Sequence, residues 1–146
     1  MKVKFYFTLA YLVAAVLLTT AVLKWIYLPP RHAALYGVVG GIEALLALGL
    51  LRNPKNWRVW ICLTLLTSLC SGFSLYTTIF GLPCSCMGSG LDLPRGTSLF
   101  ISFLLLGIAW AVLRRHPARP VTFKKIFGFY LIFMIIGFTF ASILFS

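Results

Sequence analysis

The stretch from Val59 to Leu82, VWICLTLLTSLCSGFSLYTTIFGL, contains no charged residue. A helix of that length, rising about 1.5 Å per residue, reaches across the hydrocarbon of a bilayer. It is read as a transmembrane helix, and four further runs of the same character cover residues 5–28, 33–51, 97–113 and 126–145. The chain of 146 residues is 61% hydrophobic and 10% charged, with a mean hydropathy of +1.00. So few charges do not cover a soluble core of such apolarity, whereas lipid requires no polar shell. The expected fold class is all-α. Five transmembrane helices, a four-helix core plus a C-terminal helix, would form one integral membrane domain over residues 1–146.

N-terminal to this span lies a polar hairpin, Arg52-Asn53-Pro54-Lys55-Asn56-Trp57-Arg58. Proline and asparagine are turn formers, and the three cations mark a cytoplasmic side. The whole chain carries 13 Lys and Arg against 2 acids, a net charge of +11. Most of the cations sit in short segments between apolar runs, where they act as topology determinants. No basic stripe with interleaved aromatics lies outside the spans, which argues against nucleic-acid binding. Ten of the 13 fall on the N-terminus and on the second and fourth connections, and three on the other side. The positive-inside rule then puts the N-terminus in the cytoplasm, and the connection 83–96 and the C-terminus outside.

The first run follows Lys2 and Lys4, as the h-region of a signal peptide follows its basic end, but it is too long for an h-region and no small-x-small cleavage site follows it. Near its far end Lys24 lies beside Trp25 and Tyr27, a position from which a lysine is expected to snorkel to the headgroups. In the second run Gly37 and Gly41 share a helix face and, with Gly40, predict a close helix-helix seam, which would also suit docking into a larger complex. Glu43 lies near the middle of that span, where an ionised carboxylate costs several kcal/mol unless paired. It is expected to face the bundle interior, protonated or bonded to a serine, threonine or tyrosine, as a structural acid or a proton-handling one. In the third run Cys62 and Cys70 are separated by about 12 Å of helix, too far for a disulfide, and are read as small buried residues. A Cys70 to Cys84 relay would span about 20 Å of continuous helix and so require a distorted one.

Beyond the third run comes Leu82-Pro83-Cys84-Ser85-Cys86-Met87-Gly88-Ser89-Gly90-Leu91-Asp92-Leu93-Pro94. Two thiols one residue apart form the cluster with covalent chemistry, and the expected topology faces them to an oxidising compartment. A disulfide across one residue closes a strained ring, which favours exchange over scaffolding. Gly88 and Gly90 allow a partner to approach closely. Arg95 would favour a thiolate and Asp92 oppose it. The alternatives are two structural cysteines, or a metal site, for which the loop adds only Asp92 and Met87 as ligands, with His32 a further candidate.

Lys24 late in span one, Glu43 in span two after small residues, and Pro83-Cys84-Ser85-Cys86-Met87-Gly88 after span three together resemble the MauE/DoxX-like family of redox-associated bacterial membrane proteins. The resemblance covers about residues 5–113. Members often carry a second glycine where Met87 stands, and a tryptophan and histidine before span four where this chain has Leu93-Pro94-Arg95-Gly96. The resemblance implies an inner-membrane helical bundle that handles thiols and disulfides and supports maturation of a periplasmic protein. As an oxidoreductase it would exchange equivalents through Cys84 and Cys86 with an extracytoplasmic or membrane partner. A net reaction needs a further electron acceptor or donor, and a quinone between the helices is one candidate that no residue marks. The competing expectation is a non-catalytic accessory or assembly subunit of a larger membrane complex. A transporter using Glu43 is less consistent with a chain that has no inverted repeat.

Overall fold

The computed structural model describes residues 2–27, 33–82, 94, 96–115 and 123–145. Among these the regular elements are five helices: α1 Lys2–Ile26, α2 Ala33–Arg52, α3 Trp57–Ile79, α4 Thr97–Arg114 and α5 Phe123–Phe145. Each contains a segment long and apolar enough to cross a membrane. The chain is an all-α, multi-pass membrane protein whose surroundings are the bilayer. The helices begin up to three residues outside the apolar runs, because hydropathy marks the buried length while hydrogen bonding continues into the polar flank. At α3 the extension has a visible cause. Asn56 caps the helix by accepting the Arg58 N–H on Oδ1 at 3.1 Å, so Trp57 and Arg58 are already helical.

The helices fall into two compact units, with α1, α2 and the chain through Val59 in the first and α3 from Trp60, α4 and α5 in the second. In the first unit α2 buries Tyr36, Gly40, Glu43, Ala47 and Leu50, alternate steps of four and three. On α1 Ala10, Val13, Leu17, Thr20 and Lys24 repeat the same alternation. Matching 3.5-residue stripes are what two helices need to stay in register along a shared seam. Small residues set the spacing. A Cβ on Gly40 would lie 2.8 Å from Trp25 Nε1 and 3.4 Å from the Ala21 carbonyl oxygen. Of the expected seam of Gly37, Gly40 and Gly41, Gly40 makes the close approach, while among the described residues a Cβ on Gly37 or Gly41 would meet nothing within 4 Å. Both lie one position off the buried stripe.

In the second unit the closest approach joins α3 and α5. A Cβ on Gly72 would run into the Met134 carbonyl oxygen, and one on Gly137 into that of Leu69. Backbone meets backbone there, which only glycine permits. Around the crossing Tyr76 packs edge-on against Phe138, with ring centroids 5.2 Å apart. The Ser74 and Ser98 hydroxyls, 2.9 Å apart, tie α3 to α4.

The buried face of α3 is mostly hydroxylic: Thr64, Thr67, Ser68, Ser71, Ser74 and Thr77. Ser74 meets Ser98 of α4, and the other five are satisfied within their own helix. Thr64 donates to the Trp60 carbonyl at 2.9 Å, Ser68 to that of Thr64 at 2.6 Å, and Ser71 to that of Thr67 at 2.7 Å. Such back-bonding is how a polar side chain is carried in a span without a water partner. Cys62 is exposed and Cys70 intermediate, so the expectation of two buried thiols does not hold. The buried positions on α3 go to serine and threonine instead.

Candidate functional site

Two places were predicted to carry chemistry, the connection with Cys84 and Cys86 and the carboxylate of Glu43. The two cysteines, with Asp92 and Arg95, lie outside the described residues, as does His32. What precedes and follows the connection is well defined. Helix α3 stops at a left-handed Gly81, φ 65°, with Leu82 N–H donating to the Thr77 carbonyl at 2.9 Å and Gly81 N–H to that of Thr78 at 3.4 Å. This paired 6→1 and 5→2 arrangement ends a helix abruptly and favours glycine at the turning residue. Helix α4 starts from Gly96, φ 88°, where the Pro94 carbonyl accepts both the Thr97 N–H, at 3.1 Å, and its hydroxyl, at 2.8 Å. Two fixed helix ends therefore define where the thiol-bearing segment leaves and re-enters the bundle.

Glu43 is 6% exposed, and its partner is Lys24, itself 4% exposed. The Lys24 ammonium donates to both carboxylate oxygens at 2.7 Å. The Thr20 hydroxyl lies 3.1 Å from Glu43 Oε2 and 3.0 Å from the Leu17 carbonyl, so its one proton faces two acceptors. Threonine was among the partners expected for Glu43. Lysine was not, and Lys24 does not snorkel.

The reason lies in the register of the hairpin. Trp25 Nε1 donates to the Gly37 carbonyl at 3.4 Å, Ala21 stands opposite Gly40, and Thr20 meets Glu43, so residue numbers across the seam sum to 61–63. Lys24 and Glu43 sum to 67, an offset of at least one helical turn, or about 6–9 Å of rise. A helical side chain leans toward the N-terminus of its own helix. For a lysine at the C-terminal end of α1 that lean points into the membrane, away from the headgroups. The extended butylene stem covers the missing turn and delivers the ammonium to the level of Thr20. The legible signal was the stripe itself, which contains Lys24 on α1 and Glu43 on α2.

Two ions removed from water are tolerable in this position because each neutralises the other with good geometry. Among the described residues this is the one acid-base contact within 4.0 Å. No group of three His, Cys, Asp or Glu side chains gathers among them to hold a metal ion. In the second unit Tyr130 buries its hydroxyl without a hydrogen-bond partner among the described residues. Sequence reading had passed over Tyr130, which sits in an otherwise apolar run.

Comparison of the chain with family models, with curated proteins and with solved structures returns no match.

Proposed function

We propose that the chain is a bacterial inner-membrane protein that exchanges thiol-disulfide equivalents with an extracytoplasmic partner through Cys84 and Cys86, in support of maturation of a periplasmic protein. A thiolate of the reduced pair attacks one sulfur of the partner's disulfide, forming a mixed disulfide and releasing the other partner sulfur as a thiolate. The second cysteine then attacks the mixed disulfide. The chain's pair ends oxidised and the partner ends as a dithiol, with two electrons transferred, and the reverse sequence oxidises the partner.

The observation that carries the reading is the contact between Lys24 and Glu43. Both are features of the MauE/DoxX-like resemblance, and although 19 residues apart they form one bidentate pair. A second observation supports the orientation. Lys24 is buried and neutralised, so it drops out of the topology count, and the bias becomes ten cations against two. That bias favours a cytoplasmic N-terminus and an extracytoplasmic connection 83–95.

An accessory or assembly subunit is the second reading. It is favoured by the open space at Gly37 and Gly41, next to the exposed Val38, Ile42 and Leu45 of α2. Thiol trapping in intact cells separates the two. A membrane-impermeant alkylating reagent should label Cys84 and Cys86 after mild reduction and not before, and a single-serine variant at either position should accumulate a mixed disulfide. A pair that stays unlabelled after reduction, or a double-serine variant that still supports disulfide formation in the partner, overturns the redox reading in favour of the subunit.

A further inference from the structure

The turn between α2 and α3 carries charge that the proposed chemistry does not use. It connects two membrane-crossing helices and so lies at a membrane surface whichever way the chain is inserted. Arg52, Lys55 and Arg58 are all exposed there, within seven residues that include no acid. The turn is held in one shape. Asn53 N–H donates to the Gly49 carbonyl at 3.0 Å, Asn56 N–H to that of Asn53 at 3.0 Å, and Val59 N–H to that of Asn56 at 3.1 Å. Pro54 is buried beneath it, and the guanidinium of Arg58 stands 6.0 Å from the Trp57 ring. A cation beside an indole at the end of a span is suited to headgroup depth, where the ring meets acyl chain and the charge meets phosphate.

The chain carries two acids against 13 cations, and Glu43 is already committed to Lys24. We infer that the α2–α3 turn is a docking site for anionic phospholipid headgroups. Arginine forks pair with the two free oxygens of a phosphodiester, and Lys55 adds a third positive charge. An anionic lipid is favoured over an acidic protein because the turn has four residues between helix ends and stands where headgroups are already concentrated.

The test uses the full chain purified in non-ionic detergent and offered equal amounts of phosphatidylglycerol and phosphatidylcholine, with retained lipid quantified by mass spectrometry. Phosphatidylglycerol should be enriched, and the enrichment should collapse at 1 M salt, where the Debye length is about 3 Å. Each cation near the surface is worth about fivefold in partitioning, so R52Q/K55Q/R58Q should lose at least about tenfold. R52K/R58K keeps the charge and should retain most of the enrichment, which separates loss of the site from loss of fold. No preference in the unaltered chain overturns the inference. So does an equal loss in R114Q/K124Q/K125Q, which would make the effect one of net charge, and so does equal retention of poly-glutamate, which would point to an acidic protein.

Discussion

Lys24 reaches back along α1 by about one turn or more to hold both oxygens of Glu43, so two charges in the same membrane hairpin neutralise each other. Breaking such a pair differs from removing it. Glu43→Gln leaves an ammonium buried without a counter-ion and should cost about 3–5 kcal/mol, whereas Lys24→Met with Glu43→Leu should be close to neutral or stabilising. Thermal unfolding in detergent of Lys24→Met, Glu43→Leu and the double variant measures the coupling. Additive losses would mean that the two ions do not depend on each other.

At the α3–α5 crossing the neighbours of Gly72 and Gly137 are carbonyl groups, which have no rotamer to change. Gly72→Ala and Gly137→Ala should each destabilise by about 3 kcal/mol, the upper part of the range for overpacking. Gly37→Ala and Gly41→Ala meet open space in mid-helix and should stabilise by up to about 1 kcal/mol. Denaturant titration of the four variants ranks them. Equal effects at all four positions would contradict the crossing.

Gly40→Ala is an intermediate case. Its nearest obstacle is the half-exposed indole of Trp25, which is free to turn away. The cost is expected to be about 1 kcal/mol, chiefly the lost bond to the Gly37 carbonyl. The more telling readout is fluorescence in a variant that retains Trp25 alone, because a displaced indole changes its emission maximum. An unchanged spectrum would place Trp25 elsewhere.

Tyr130→Phe deletes a buried hydroxyl that lacks a well-formed partner. Removing an unsatisfied polar group spares its desolvation cost, so the variant should be as stable as the parent or more so, by up to about 1 kcal/mol. A loss above about 1 kcal/mol in detergent unfolding would show that the hydroxyl does make a stabilising hydrogen bond.

The sequence made the helices plain and their contacts obscure, for physical reasons visible in single residues. A run such as Val59–Leu82 declares itself because every residue in it lacks charge, a property that needs no partner to be recognised. The Lys24–Glu43 contact depends on the register between two helices, and hydropathy treats residues one at a time. Lys24 was misjudged because snorkelling was applied without the direction in which a helical side chain leans. Gly37 and Gly41 have the spacing of a packing motif but lie beside the stripe that includes Gly40, while Gly72 and Gly137, lone glycines in long spans, make the tightest contact. Cys84 and Cys86 were read from spacing and topology alone, and their geometry lies outside the described residues.

The hydroxyl face of α3 gives this helix an unusual kind of solvent property. Thr64, Thr67, Ser68, Ser71 and Thr77 each spend a proton on a carbonyl three or four residues back in their own helix. A proton held so locally is easily redirected, because swinging it to an outside acceptor trades one hydrogen bond for another and leaves the helix ladder in place. Seen from its neighbours, α3 is therefore a polarisable wall inside an apolar medium, able to solvate a dipole on arrival and return to self-sufficiency on departure.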